Sequence, residues 1–224
     1  MIKKKKKCIV LLSGGLDSTV VLSICKKLNL QVYALSFDYG QRHLSELRNA
    51  KLQARKHNVF SHRVFKIDFF GGSALTDDIE VPKNKDVDSI PDSIPITYVP
   101  GRNLIFLSFA AGYAESLGID DIYIGVNSID YSGYPDCRVE FIRNFENLIN
   151  LSTKKAIEGK KFKIKTPLLD LNKKEIILLG KKNNIDFSKT SSCYNPINQK
   201  GCGLCDSCLL RKKGFNEAQL IDPS

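Results

Sequence analysis

Residues 8–19 read Cys8-Ile9-Val10-Leu11-Leu12-Ser13-Gly14-Gly15-Leu16-Asp17-Ser18-Thr19. Five apolar residues in a row, bounded by a polar glycine turn, suit a strand buried on both faces. The Val- and Leu-rich pattern from Ser18 to Leu28 predicts the helix that follows. A strand turning through two glycines into a helix gathers free backbone N–H groups around one point, with the hydroxyls of Ser13, Ser18 and Thr19 beside them. That point is suited to an anion, and the expected binding segment is Leu12, Ser13, Gly14, Gly15, Leu16, Asp17, Ser18 and Thr19. The Lys-Ser/Thr ending of a Walker loop and the three spaced glycines of a dinucleotide fingerprint are both missing, so neither an ordinary P-loop NTPase nor a dehydrogenase fits. Asp17 would repel a polyphosphate unless a hard cation stood between them, and Mg²⁺ makes its carboxylate useful.

Further along, Gln31–Phe37, Arg63–Ile67 and Asp121–Val126 read as strands, and His43–His57 and Asn103–Leu117 as helices. Repeated βα units predict an α/β fold with a doubly wound, mostly parallel sheet, whose ligands lie at the carboxyl ends of the strands. The pattern then becomes more helical, over Val139–Leu151 and Lys173–Asn183. We expect a nucleotide-binding core over residues 1–135, with a helical, cysteine-rich C-terminal region over 136–224 packed on it. Residues 69–100 contain Gly71-Gly72 and Pro82, Pro91, Pro95 and Pro100 with little periodicity. A segment that long predicts a lid, a partly disordered excursion or an inserted contact surface.

The 224 residues, 42% hydrophobic, suffice for one well-buried domain with a small appendage. No apolar run approaches the ~20 residues of a membrane span, and the expectation is a soluble protein. The basic lead 1–7 precedes only five apolar residues and no cleavage-site pattern, which argues against a secretory signal. Net charge is +10, but 26 lysines against 8 arginines, scattered along the chain, suit solvated faces better than a nucleic-acid reader. The best candidate for such a patch is 154–165.

Two further segments fall on the expected rim. Tyr98-Val99-Pro100-Gly101-Arg102-Asn103 brings a guanidinium to a helix start, where it can grip pyrophosphate or a carboxylate by a two-pronged contact. The stretch from Gly125 to Arg138 (GVNSIDYSGYPDCR) combines Asn127, Asp130, Tyr131, Tyr134, Asp136 and Arg138. Carboxylates for ring N–H donors and aromatic faces for stacking make it a purine-sized polar pocket. Near the C-terminus, Cys193, Cys202, Cys205 and Cys208 offer four thiolates within sixteen positions. That spacing suits a closed tetrahedral zinc site, structural rather than catalytic, in a reducing compartment. An iron–sulfur cluster is the alternative, although the Cys-Pro that would complete a ferredoxin-type run is missing.

The glycine turn matches SGGxDS, the PP-loop of ATP pyrophosphatases. With Phe37-Asp38-Tyr39-Gly40-Gln41-Arg42-His43, YVPxRN, the GVNxxDYSGYPDCR stretch and the terminal cysteines, the chain resembles the 7-cyano-7-deazaguanine synthases over nearly its whole length. The resemblance implies ATP with Mg²⁺ as co-substrate, Asp38 on the adenine side, Asp17 and Arg102 in catalysis, and structural Zn²⁺. It further implies a cytoplasmic homodimer that converts 7-carboxy-7-deazaguanine and ammonia to the nitrile through adenylated intermediates. With no room for a glutaminase-like domain, free ammonia is the expected nitrogen source. A tRNA thiolase or lysidine synthetase with the same loop, or a zinc-stabilised nucleic-acid-binding module, are the rival readings, and nucleic acid is not the expected partner.

Overall fold

The computed structural model describes residues 5–42, 44–84, 86–90, 93–127, 133–196 and 200–223. The chain runs through β1 (Lys7–Leu11), α1 (Leu16–Lys27), β2 (Gln31–Asp38), α2 (Ser45–Lys56) and β3 (Ser61–Lys66). After a largely irregular segment come α3 (Arg102–Leu117), β4 (Asp121–Tyr123), α4 (Val139–Ser152), the single-turn α5 (Lys154–Ile157), β5 (Lys163–Lys165), α6 (Lys173–Lys182) and α7 (Asp206–Glu217). The strands form one sheet in the order β3-β2-β1-β4-β5, parallel at every pairing.

β1 sits at the centre because it has no polar face to offer. Ile9 and Leu11 point into the apolar cluster under α3 and α4, whereas Cys8, Val10 and Leu12 point into the one shared with α1, α6 and α7. Strand alternation thus feeds two cores from one five-residue run. Burying a side chain such as Leu22 or Ile122, both fully enclosed, contributes roughly 1.5–3 kcal/mol each. From β1 the chain steps outward to β2 and β3, then returns to place β4 on the other side of β1. That reversal opens a crevice at the carboxyl ends of β1 and β4, where open α/β sheets bind ligands.

The sequence pattern and the structure differ at three strands. β4 ends at Tyr123 rather than Val126: Ile124 still donates its N–H to the Lys165 carbonyl, and the chain then passes over the glycine turn with Ile124 and Val126 buried and Gly125 half-buried. β3 begins at Ser61, two residues before its apolar run, because an edge strand needs hydrogen bonds on one side only. β5 was not expected at all. Its three residues, Lys163-Ile164-Lys165, bury only the middle one and are too short to show a period. It lies inside the lysine stretch considered as a nucleic-acid patch, three of whose lysines are engaged: Lys154 with Glu158 at 3.7 Å, Lys155 with Asp120 and the Ile119 carbonyl, and Lys163 with Glu146 at 3.0 Å.

The proline-containing excursion packs onto the cysteine segment at some of its described residues. Ala74 and Val81 are buried against Cys193 and Cys205, and Asn84 binds the Leu204 carbonyl through its N–H and the Asp206 carboxylate through its amide. It works as a strap over the cysteine segment.

Gly14 fixes how the glycine turn meets α2. Its φ is +86°, and a Cβ there would fall into the backbone of α2, against the Glu46 carbonyl and the Ala50 amide. Gly14→Ala is expected to destabilise the fold by about 2 kcal/mol or more through strain and overpacking, read as a lowered midpoint in chemical denaturation.

Candidate active site and four-cysteine centre

The turn after β1 is knitted by its own hydroxyls. The Gly15 N–H donates to Ser13 Oγ at 3.2 Å, Ser13 and Ser18 share a hydrogen bond at 3.0 Å, and Thr19 Oγ1 donates to the Gly15 carbonyl at 2.8 Å. Gly125, just beyond β4, allows that segment to lie on the turn: a Cβ there would approach Asp17 and Ser18 backbone atoms at 3.2 Å. A cavity of about 260 Å³ opens between them, walled by Leu12, Ser13, Gly15, Leu16, Asp17 and Ser18 on one side. Gly14 and Thr19 stand behind this wall rather than in it.

Arg102, the first residue of α3, lines the same cavity. Burial works against its charge, but Tyr39, Tyr134 and Asp136 around it hold the guanidinium above its ordinary range. Its carbon lies 6.0 Å from the centre of the Tyr39 ring. Asn127 and Tyr134 also face the cavity. The Tyr134 hydroxyl meets those of Thr97 at 3.0 Å and Tyr194 at 3.3 Å.

Three expected ligand-binding residues stand elsewhere. The Asp136 carboxylate is buried as a cap on α3, accepting the Asn103 N–H at 2.9 Å, so it sets the position of Arg102. Arg138 is exposed at the start of α4, and Asp38 ends β2 outside the wall. Asp130 and Tyr131 lie outside the described residues.

Lys173 and Glu46, which the sequence did not single out, are prominent in the wall. The Lys173 ammonium lies 3.0 Å from both oxygens of Asp17, across 156 positions of chain. It is placed there by a capping box in which Asn172 and Glu175 satisfy each other's backbone N–H groups and fix the start of α6. A lysine in the first turn of a helix runs against the helix dipole, and that oddity in Asn172-Lys173-Lys174-Glu175 was the available signal. Glu46 occupies the first turn of α2, beside Gly14, and burial raises its carboxyl above the usual range while Arg102 opposes the rise.

The remaining wall comes from the far end of the chain. Ser191 donates its N–H to the Gly14 carbonyl at 3.2 Å, and Ser191, Ser192, Tyr194 and Arg211 line the cavity. Arg211 is almost fully buried: it forks onto Asp222 at 2.8 and 2.9 Å and donates to Thr190 Oγ1 at 2.9 Å, which holds α7 to this loop.

Cys193 follows directly, and the sulfurs of Cys193, Cys202, Cys205 and Cys208 lie within 4.8 Å of one another. A tetrahedral ion with metal–sulfur bonds of about 2.3 Å separates its ligands by roughly 3.8 Å, so the cluster fits such an ion. Backbone N–H groups of Asn195 and Cys202 point at the Cys193 sulfur at 3.3 and 3.2 Å. Hydrogen bonds among the sulfurs hold the Cys205 thiol well below its ordinary range and Cys193 and Cys208 above theirs. Four thiols this close cannot all ionise unaided, and a bound cation removes that conflict.

Comparison with known proteins adds to this geometry. A family model described as queuosine biosynthesis protein QueC matches residues 7–219. The chain is 55% identical over 222 residues to the 7-cyano-7-deazaguanine synthase of Citrifermentans bemidjiense, covering 98% of this chain and 97% of that one. It is 53% identical over 225 residues to that of Desulfatibacillum aliphaticivorans, covering 99% and 97%. Among solved structures, an NMN synthetase from Francisella tularensis is similar in fold, with a TM-score of 0.50 and 14% identity over 98% of this chain and 89% of that one.

The Lys173–Asp17 pair is the first contact to test. Lys173→Ala is expected to weaken ATP binding about 10- to 100-fold, the loss of one charge-assisted contact, while circular dichroism stays unchanged; isothermal titration would measure it.

Proposed function

We infer the reaction from one premise: this chain belongs to the QueC family of queuosine biosynthesis proteins. The chain uses ATP and ammonia to convert 7-carboxy-7-deazaguanine to 7-cyano-7-deazaguanine. The observation that carries this reading is that the glycine turn and the Arg102 guanidinium line one cavity, which suits the joining of a carboxylate to an ATP α-phosphate.

In this mechanism the Ser13–Ser18 turn holds the β- and γ-phosphates. Asp17 supplies a hard oxygen to the accompanying Mg²⁺, and Lys173, now paired with Asp17, supplies the cation facing the phosphates. Arg102 grips the substrate carboxylate, whose oxygen attacks the α-phosphate and releases pyrophosphate. Ammonia displaces AMP to give the amide. A second ATP adenylates the amide oxygen in the same site, and AMP departs with two N–H protons lost as the nitrile forms. Tyr134 and Asn127 are the described groups placed to face the deazapurine ring. Asp130 and Tyr131 keep the ring-recognition role proposed for them from the sequence.

We assign zinc to the four cysteines. Four thiolates leave a tetrahedral ion no open position, so its contribution is folding energy rather than chemistry. All seven cysteines are unpaired in the structure, in keeping with a cytoplasmic setting. Among the described residues no helix is long and apolar enough to cross a membrane.

Two outcomes test these readings. Incubation with Mg-ATP, ammonium chloride and 7-carboxy-7-deazaguanine is expected to yield the nitrile with AMP by mass spectrometry, and Arg102→Ala to lower that rate about 10²-fold or more. No turnover of this acid would refute the substrate. Metal analysis is expected to return one zinc per chain without the visible absorption of an iron–sulfur cluster. Chelation under reducing conditions is expected to lower the melting temperature and abolish ATP cleavage together, because Cys193 directly follows the loop that lines the cavity.

A further inference from the structure

A second, much smaller recess of about 20 Å³ adjoins the main cavity. It has room for about one water-sized molecule, and ammonia is of that size. Four of its seven lining residues, Tyr39, Gln41, Glu46 and Tyr194, also line the main cavity, so the two spaces share a wall. Glu46 stands at that junction. Its backbone carbonyl lies against Gly14 of the phosphate turn, and its carboxyl is within electrostatic range of Arg102, so it sits between the expected places of ATP and of the substrate carboxylate. Among the described residues this carboxylate has no hydrogen bond and no salt bridge, unlike Asp17 and Asp136. A half-buried, unpartnered carboxylate facing a one-molecule recess is an arrangement that a small cation would complete.

We propose that this recess is the ammonium site, and that the Glu46 carboxylate binds ammonium there and takes the proton whose loss frees ammonia for the acyl carbon. The inference rests on the reaction proposed above.

The balance is simple. Ammonium gives one proton to the Glu46 carboxylate, leaving ammonia with its lone pair. That pair forms the C–N bond at the acyl-adenylate carbon. The C–O bond to the phosphate breaks, AMP leaves with the bonding electrons, and the surplus nitrogen proton passes to an AMP phosphate oxygen or to water. Glu46 returns its proton to solvent before the next ammonium enters.

In water a carboxylate is a far weaker base than ammonia. Withdrawal from water disfavours the ammonium–carboxylate pair relative to the neutral ammonia–carboxylic acid pair, which brings the transfer within reach. Other groups agree with this. The Tyr39 hydroxyl, pushed up to about 12 by burial, stays protonated, and its ring offers a face to a cation. The Gln41 amide is held by the Tyr39 N–H at 2.7 Å and the Phe37 carbonyl at 3.2 Å, which keeps the wall rigid. Of the two guanidinium groups nearby, Arg42 is turned onto the Ile79 carbonyl at 2.8 Å and Asp78 at 3.4 Å. Arg102 disfavours ammonium relative to ammonia at this place, and it also opposes protonation of Glu46, so burial of the carboxyl is what favours the transfer.

The experiment separates the two halves of the reaction in the full-length, metal-loaded protein. Adenylation is read as ATP–pyrophosphate exchange driven by 7-carboxy-7-deazaguanine without ammonium, and nitrogen transfer as product formed against ammonium concentration. Glu46→Gln is expected to lower ammonium-dependent turnover about 10²-fold, at least tenfold more than it lowers exchange, and to raise half-saturating ammonium, with Glu46→Asp recovering part of the loss. Equal loss of exchange and transfer, or an unaltered ammonium dependence, would overturn the assignment of Glu46. Absence of exchange in the parent chain would instead overturn the reaction, and this inference with it.

Discussion

The close approach of three backbone segments at Gly14 is the constraint on which the rest of the structure depends. α2 presses on this residue from one side through Glu46 and Ala50, and the loop before Cys193 binds its carbonyl from another. The contact with α2 has no room for a side chain. The glycine turn is therefore held by tertiary packing rather than by the short loop itself, and each element that touches it delivers a side chain to the same cavity: Glu46 from α2, Asn127 from beyond β4, Ser191 and Tyr194 from the cysteine segment. Backbone contact at one glycine serves as the origin from which the side chains are measured.

The cysteine centre takes part in the same arrangement. The strap between β3 and α3 covers it through Ala74, Val81 and Asn84, and Arg211 on α7 ties the loop it anchors to Asp222 and Thr190. A metal bound there would stabilise the cavity wall through the loop that the cysteines anchor. The sulfurs and the phosphate turn share one loop, residues 187–193, as a common support.

The sequence made legible those parts of the fold that local pattern can encode. The buried run of β1, the glycine turn, the βα alternation and the four cysteines each carry their meaning within a dozen or so neighbours, and the parallel sheet follows from them. β5 escaped because three residues with one buried side chain show no period. Lys173 and Glu46 escaped for a different reason: their significance lies in partners far along the chain, and locally they are a lysine among 26 and one acid in a polar helix. Asp136 shows the reverse. Its neighbourhood suggested ligand binding, whereas its carboxylate caps α3, a use visible only once that helix start is brought beside it.

The pairing of Asp17 with Lys173, and of Gly14 with Ser191, joins the first tenth of the chain to its last quarter. Such a site cannot exist on a growing polypeptide. Until that last quarter of the chain has been made, the glycine turn lacks the lysine that pairs with Asp17 and the loop that closes the wall, so the nascent chain has no assembled cavity. These contacts can form only after Lys173 and Ser191 have emerged, so translation itself sets the earliest moment at which the cavity wall is complete.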